Sequence, residues 1–362
     1  MTKITGIETI RTRADGTWLF VKVLTDQPGL YGIGSASDHY RAKVVQAAIE
    51  NVTPLLIGRD VSRIEDIWQS VYTQSYWRNE AIGNTAQAGI DMALWDIKGK
   101  EAGMPVYQLL GGKTRSAVAA YAHAQGNSLT ELEDDVRRYW EEGYTVIRCQ
   151  LGNYGGGGFL DRANARGPKG HWPQDKAFDD DAYLQAIPEM FAHLRDKLGW
   201  GPKFTHDVHE HLAPTNAVQL AKLLEPYRLY FLEDLLSPVR ISKGGGITQA
   251  RKIATLCEWF GVQTAWQEGG DNDPVNQMAA MHVDLASTAF GIQEENHFKP
   301  EEYELFPGHA TLEGGYLYGN EQPGLGIDID VKKAEALLDP DKAAKSHYMA
   351  EDRRRDGGIV RP

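Results

Sequence analysis

Two acidic residues, Asp207 and Glu233, stand where short apolar runs end, and they are the first candidates for chemistry. Segment 213–224 between them has apolar residues at helical spacing, so the region is predicted to fold as strand, helix and strand. In a parallel α/β barrel the carboxyl ends of successive strands converge on one site. Two carboxylates delivered there suit a hard divalent cation such as Mg²⁺. The alternative role is capping of the following helices, because helix N-termini favour acids.

His209 follows Asp207 by two residues, and on an extended strand both side chains would point the same way. An imidazole beside a metal ligand is an arrangement suited to acid–base catalysis. The alternative is a structural histidine that only supports Asp207.

The first part of the chain, residues 1–115, has the pattern of an α+β unit. Three strands are predicted at 4–13, 18–25 and 30–34, with a hairpin turn at 14–16, and three helices at 42–56, 64–72 and 84–101. An antiparallel sheet followed by helices is typical of this class.

From residue 116 onward, strand and helix patterns alternate. Strands are predicted at 118–123, 145–150, 204–207, 229–232, 239–242, 264–266 and 288–292. These are seven strands, one fewer than a closed eightfold barrel needs. A glycine-rich segment at 152–176 follows the second strand, and loops of that length are usually lids or disordered segments.

Composition places the chain among soluble globular proteins and argues against several kinds of partner. The hydrophobic fraction of 42% and the charged fraction of 24% are ordinary, and 362 residues can hold a barrel plus a smaller domain. A net charge of −12 argues against a nucleic-acid-binding surface. The sequence has two cysteines, no secretion signal and no apolar run long enough to span a membrane, so we expect a cytoplasmic protein.

Several stretches resemble the enolase superfamily, in particular its mandelate racemase and muconate-lactonizing group. The most specific is AQAGIDMALWDIKGK at 86–100 with GMPVYQLLGG at 103–112. The runs DVHE at 207–210, LED at 232–234 and FGIQE at 290–294 extend the resemblance over nearly the whole chain. Two features point to one subgroup: the His that follows the first Asp by two residues, and the run FGIQE. With them the chain most resembles the D-mannonate and D-gluconate dehydratase subgroup, which includes the starvation-sensing proteins.

The resemblance implies an α/β fold in which a modified (β/α)7β TIM-like barrel at 116–305 carries an α+β N-terminal capping domain at 1–115. A C-terminal segment, 306–362, is implied to pack back on the capping domain. Asp207 and Glu233 match the first two of the family's metal-ligating carboxylates, and the implied cofactor is Mg²⁺.

The third carboxylate of the family, a Glu at the end of the next strand, has no match here. One barrel strand–helix unit is missing after Pro238, on the order of 30 residues or more. Either the chain lacks this unit or the sequence as given omits it. Because loss of a strand opens backbone edges in a barrel and should destabilise it, omission is the favoured explanation.

The resemblance also implies catalytic roles around the carboxylates. In the dehydratase subgroup a base removes the proton α to a sugar acid's carboxylate, and an acid protonates the departing 3-hydroxyl. His209 matches the acid, and Arg148 matches an Arg that assists a Tyr base. Tyr154 is the one tyrosine in the loop after Arg148, although it falls earlier than the family's residue, and its alternative role is packing within that loop.

Other residues match positions that bind substrate in the subgroup: His39, His123, Gln267, Asp271 and Glu294. Their alternative role is that of solvated loop or strand-end side chains. Active mannonate dehydratases of the subgroup have a His where Gln267 falls, and an amide cannot titrate. Gln267 therefore argues against D-mannonate as the substrate or against high activity.

The leading hypothesis is a Mg²⁺-dependent lyase that dehydrates an aldonate such as D-mannonate or D-gluconate to a 2-keto-3-deoxy acid. An epimerase using the same enolate chemistry is one alternative. A non-catalytic or weakly active sugar-acid-binding protein is another, because a fold does not guarantee an activity. The expected partners are a small acid sugar and further copies of the chain in a homo-oligomer.

Overall fold

The computed structural model describes residues 1–13, 17–38, 41–161, 176–235, 245–267, 272–339 and 352–360. Its strands are β1 (Ile4–Thr12), β2 (Trp18–Thr25), β3 (Tyr31–Ser35), β4 (Val118–Gly126), β5 (Val146–Leu151), β6 (Phe159–Asp161), β7 (Lys176–Phe178), β8 (Lys203–Asp207), β9 (Leu232–Glu233), β10 (Thr264–Trp266), β11 (Phe290–Glu294), β12 (Thr311–Glu313) and β13 (Tyr316–Tyr318). Its helices are α1 (Ala42–Leu56), α2 (Ile64–Thr73), α3 (Ala81–Ala102), α4 (Val106–Leu109), α5 (Leu129–Glu141), α6 (Asp180–Leu198), α7 (Pro214–Leu224), α8 (Ile247–Phe260), α9 (Pro274–Ala286), α10 (Pro300–Tyr303) and α11 (Val331–Ala336).

The chain divides into two compact units. The first holds Met1–Ala120 and Ile241–Lys345, and the second holds Tyr121–Arg240 and Ser346–Pro362. Of the C-terminal residues, α11 packs on β1 in the first unit, whereas 352–360 belong to the second. This division follows contacts rather than the predicted domains, whose boundaries at 115 and 305 stay a prediction.

The first unit begins with the antiparallel sheet β1–β2–β3, as the alternating pattern predicts. Its hairpin brings Thr12 opposite Trp18, and the predicted turn at 14–16 lies outside the described residues. Helix α3 lies directly on β3 at Gly32 and Gly34. A side chain at either glycine would collide with a backbone carbonyl of α3, so this packing requires glycine at both.

Helix α8 is tied to two helices of the first unit by three hydrogen bonds. The Trp68 indole N–H on α2 donates to the Gly245 carbonyl at 2.9 Å. On α3, the Asp91 carboxylate accepts from the Thr248 amide at 2.9 Å, and the Trp95 indole donates to the Thr248 hydroxyl at 2.9 Å. The start of α8 is therefore held against α2 and α3.

The second unit contains four parallel strands in the order β4–β5–β8–β9, where β4 enters the unit at Tyr121. Helices α5, α6 and α7 connect them, which is the strand–helix alternation that the sequence predicts. Strand β9 has two residues, fewer than the predicted run at 229–232, and the predicted strand at 239–242 lies outside the described residues. No helix in the described parts of the chain combines the length and apolar character of a membrane span.

Candidate active site

Strand register in the second unit places the predicted catalytic residues side by side. His123 on β4 is the partner of Arg148 on β5, and Asp207 at the end of β8 is the partner of Glu233 at the end of β9. These residues share one end of the parallel sheet, where the carboxyl ends of strands form sites in α/β folds.

Arg148 is the centre of the site. It is 2% exposed, and its guanidinium has four polar neighbours. Nη1 lies 3.4 Å from Asp207 Oδ2 and 3.6 Å from Glu233 Oε2. Nη2 donates to the Tyr154 hydroxyl at 2.8 Å and lies 3.2 Å from His123 Nδ1. One fixed cation thus connects both predicted carboxylates with the predicted base.

Asp207 is ionised in this environment although it is buried. Burial alone would raise the pKa of its carboxyl group. The hydrogen bond from His209 and the charges of His209 and Arg148 outweigh burial and hold the pKa of Asp207 below its ordinary value. A buried carboxylate that stays charged suits a cation-binding role.

His209 contacts Asp207, but not through the extended strand that the sequence analysis assumes. Its φ is +52°, and β8 ends at Asp207. This turn lets the His209 amide donate to Asp207 Oδ1 at 2.7 Å, and it places Nδ1 3.0 Å from Oδ2. The expectation of an extended strand at 207–209 is therefore wrong, because the carboxylate and the amide close a local turn.

Tyr154 lies in the loop after β5, where its hydroxyl accepts from Arg148 and its ring stacks on His209. The two ring centres are 3.9 Å apart and the planes differ by 22°. The next residue, Gly155, has a φ of +70°, and a side chain there would come within 2.9 Å of the His211 ring. The structure therefore brings the predicted base, its Arg and the predicted acid together, while their catalytic roles stay a prediction.

A buried layer beneath the site fixes the end of β8. The His206 ring nitrogens lie 2.8 Å from the Cys149 carbonyl and 2.8 Å from the Tyr183 hydroxyl. Burial lowers the pKa of His206 to about 4, so this ring is neutral at pH 7. The Gln150 side chain donates to the Asp207 carbonyl at 2.8 Å.

Tyr121 was not singled out by the sequence analysis, yet it contacts a predicted metal ligand. Its hydroxyl donates toward Glu233, 3.2 Å from each carboxylate oxygen. Tyr121 precedes His123 by two residues on β4, so strand alternation places both side chains on one face. That alternation is the signal that could have identified it.

Asp234 is the second residue that the sequence analysis missed. Ligand atoms of Asp207, His209 and Asp234 all lie within 4.8 Å of one another. Asp234 has a φ of +42°, so the backbone turns directly after Glu233. The candidate metal ligands therefore include Asp207 with Asp234 and His209, besides the predicted pair of Asp207 and Glu233.

Helix capping is not the role of Asp207. Helix α7 begins at Pro214 with Ala213 as its N-cap, and no side chain caps it. The carboxylate of Asp207 instead accepts from the His209 amide, in a turn that precedes the helix. The capping alternative for Asp207 is therefore wrong.

Two of the remaining predicted residues, Gln267 and Glu294, lie in the first unit. Gln267 follows β10 and is exposed, and Glu294 ends β11 and is buried. His39 and Asp271 lie outside the described residues. Contact of these four with substrate stays a prediction.

Comparison with known proteins identifies the family of this chain. A family model described as the N-terminal domain of mandelate racemase and muconate lactonizing enzyme matches residues 6–111, and one described as enolase C-terminal domain-like matches 238–334. A "D-galactonate dehydratase family member" from Paenibacillus sp. strain JDR-2 is 54% identical over 100% of both chains. The chain belongs to the D-galactonate dehydratase family of the enolase superfamily. Another member of the family, from Musicola paradisiaca, is 44% identical over 92% of this chain and 93% of its own.

A solved structure extends the similarity to the fold. The crystal structure of an enolase from Pantoea ananatis with bound D-gluconate and Mg matches all of both chains at 41% identity and a TM-score of 0.93. The predicted fold, an enolase-superfamily capping domain with a barrel, is confirmed. The predicted enzyme class is a hydro-lyase, which agrees with the dehydratase family name of the relatives. The predicted cofactor, Mg²⁺, agrees with the cluster of Asp207, His209 and Asp234.

The length of the comparison with one relative bears on the predicted missing barrel unit. The comparison with the Paenibacillus relative spans 408 positions, whereas this chain has 362 residues, so 46 positions have no counterpart here. Together these positions are enough for one strand–helix unit, which is the size of the unit predicted to be missing.

Proposed function

We propose that this chain is a Mg²⁺-dependent dehydratase of a six-carbon aldonate such as D-gluconate or D-mannonate. The relatives named D-galactonate dehydratase family members and the D-gluconate in the Pantoea enolase support the substrate class. The observation that carries the proposal is the position of Arg148, whose guanidinium contacts the Tyr154 hydroxyl and both acids, Asp207 and Glu233.

The donor set fits a Mg²⁺ ion, which prefers carboxylate oxygens. Asp207 and Asp234 would hold it, with Glu233 as the further carboxylate at the neighbouring strand end. When bound, Mg²⁺ supplies a Lewis acid for the substrate carboxylate. Arg148 also lies against Asp207 and Glu233. Its single positive charge offsets only part of their combined negative charge, and the remainder can attract the cation.

Tyr154 and His209 supply the proton transfers in this proposal. Because Arg148 donates to the Tyr154 hydroxyl, its charge stabilises the phenolate that a base requires. The phenolate oxygen takes the proton from C2, and the electron pair of that bond forms a C2–C3 double bond as the C3–O bond breaks. His209 gives its proton to the departing hydroxyl, which leaves as water. The remaining enol tautomerises to the 2-keto-3-deoxy acid.

The test is keto-acid formation by the purified protein with Mg²⁺ and, in parallel, D-gluconate, D-galactonate and D-mannonate. His209→Asn removes the titrating ring at similar polarity, so turnover should fall by about a hundredfold or more while calorimetry still detects sugar-acid binding. His193→Asn is the matched control, because that ring lies on α6 and pairs with Glu133 at 2.9 Å. A His209→Asn protein with the wild-type rate would exclude His209 as the acid.

Sugar-acid binding without turnover is the second candidate function, and Gln267 favours it. An amide forms hydrogen bonds but does not exchange protons as His does. This candidate predicts that the wild-type protein binds D-gluconate in calorimetry, releases no keto acid and depends little on Mg²⁺. Keto-acid release by the wild-type protein would reject it.

A further inference from the structure

Residues 352–360 fold back on themselves in the second unit, and we call them the C-terminal turn. The Arg354 amide donates to the Gly358 carbonyl at 2.8 Å and closes the turn. The turn packs on β7, where the Phe178 amide donates to the Arg353 carbonyl at 2.8 Å. The second unit also holds Arg148 and its neighbours, so the C-terminal turn and the centre of the candidate site share one compact body.

The Arg354 guanidinium connects the C-terminal turn to two other segments. Nη1 donates to the Asp180 carboxylate in the first turn of α6. Nη2 donates to the His211 carbonyl at 3.2 Å and to the Val360 carbonyl at 3.0 Å. The planar fork of an arginine holds several acceptors in fixed directions, which the compact ammonium of a lysine does not do. Three segments that are distant in sequence therefore meet on one side chain.

The His211 carbonyl belongs to a segment that reaches both predicted proton-transfer groups. His211 ends residues 208–211, which we call the His209 turn, and the rings of His209 and His211 are 6.2 Å apart. The His211 ring also lies against the loop of Tyr154, because a side chain at Gly155 would come within 2.9 Å of it. His211 is buried in close packing, so a shift of this residue would displace both segments.

The His209 turn depends on contacts with other parts of the chain. His209 and Glu210 have φ values of +52° and +62°, which residues other than glycine keep only where the surrounding structure enforces them. The Glu210 amide donates to the Asp234 carbonyl at 3.0 Å and fixes the middle of the turn. Arg354 binds the carbonyl at the end of the turn, so the strained backbone is held from two sides.

We infer that Arg354 is a positioning residue for His209, because it fixes the end of the turn that carries this imidazole. The effect on turnover rests on the proposed function, whereas the effect on the rigidity of the turn does not. The hydrogen bond comes from a charged donor, and such bonds are stronger than those between neutral groups. A small displacement of a catalytic group lowers the rate more than it lowers substrate binding, so Arg354 should contribute to kcat rather than to KM.

The experiment compares hydrogen exchange in the wild type, Arg354→Gln and Arg354→Lys by mass spectrometry without ligand. Gln lacks the charge and the fork, so the amides at 208–212 should exchange about tenfold faster or more. Lys keeps a charge for Asp180 without the fork, so its exchange should be intermediate. If Arg354→Gln does not fold, Arg354→Lys decides by the same comparison. In keto-acid formation, kcat of Arg354→Gln should fall about tenfold while KM stays within about threefold.

Arg355→Gln is the matched control from the same turn. Arg355 pairs at 2.5 Å with Asp179, the N-cap of α6, rather than with the His209 turn. The Arg355 side chain is 41% exposed, and ion pairs at the surface contribute little to stability. Exchange at 208–212 and kcat should therefore stay within about twofold of the wild type in this variant.

Three outcomes would overturn the inference. The first is exchange at the wild-type rate in Arg354→Gln, and the second is equal acceleration in Arg355→Gln. The third is faster exchange with an unchanged kcat, because the turn would then be held without any effect on His209. A wild-type protein that forms no keto acid would reject the proposed function instead, and the exchange comparison would still decide whether Arg354 holds the turn.

Discussion

At the scale of single residues, the site is a balance of charges around Arg148. Asp207 stays ionised in the interior because His209 and Arg148 offset its burial. The guanidinium is shared between Asp207 and Glu233, and Asp234 adds a further carboxylate close to Asp207. Even with both Arg148 and His209 counted as cations, three carboxylates leave the cluster with a net negative charge, which suits a divalent cation.

Asp234→Asn tests which carboxylates bind the cation. We expect the affinity for Mg²⁺, measured by calorimetry without substrate, to fall at least about tenfold, because one anionic ligand is lost. Asp134→Asn on the exposed side of α5 is the control and should leave the affinity unchanged. An unchanged affinity in Asp234→Asn would leave Asp207 and Glu233 as the ligand pair.

At the scale of elements, one helix supplies the cap of another. Helix α8 begins after Gly246 without a cap from its own sequence, and Asp91 on α3 accepts from the Thr248 amide instead. Gly246 has a φ of +89°, and a side chain there would lie 2.5 Å from the Asp91 carboxylate. Burial raises the pKa of Asp91 to about 7, although the hydrogen bonds from Thr248 lower it.

This raised pKa makes stability fall as the pH rises. The folded state favours the neutral carboxyl, so the stabilisation is complete below the ordinary pKa near 4 and is lost as the pH rises through about 7. Between pH 5 and 7, wild type should lose up to about 1.4 kcal/mol per pH unit relative to Asp91→Asn. Thermal unfolding at several pH values measures the difference, and Asp134→Asn should run parallel to wild type. Parallel curves for Asp91→Asn and wild type would mean that Asp91 does not titrate in this range.

The loop after β5 depends on a glycine beside Tyr154. Gly155→Ala should displace the loop, because the new methyl group would meet His211 at 2.9 Å in addition to the left-handed backbone. We expect keto-acid formation to fall about tenfold or more through misplaced Tyr154, since small displacements of catalytic groups have large effects on rate. Gly152→Ala in the same loop has a φ of +66° but ordinary contacts, so it isolates the backbone effect. Equal rates in the two variants would refute the role of the His211 contact.

Local sequence patterns predicted most elements well. The bounds of β2, α1 and β10 are those expected, because alternating or amphipathic residues end at clear turn signals. The conformation of His209 could not be predicted, since it depends on a hydrogen bond between its own amide and the Asp207 side chain. Strand β9 is shorter than its apolar run, because strand length is set by pairing with β8 rather than by propensity.

At the scale of the whole molecule, the resemblance predicted the enolase-superfamily fold, which is confirmed. The absence of one barrel unit after Pro238 stays a prediction. The resemblance also named Asp207, Arg148, Tyr154 and His209, which the structure brings together. Tyr121 and Asp234 were missed as site residues, because their proximity to the predicted ligands depends on contacts that form only in the folded chain, even though Asp234 lies in the LED run.

At His209, Glu210 and Asp234, selection for stability and selection for activity should favour different residues because of their backbone conformations. All three have a positive φ, between 42° and 62°, where a residue other than glycine costs about 1–2 kcal/mol. Glycine at these positions would relieve that cost and remove the side chains at the mouth of the site. A screen of random variants for heat resistance alone would therefore enrich glycine here, and a screen for turnover would remove the same variants.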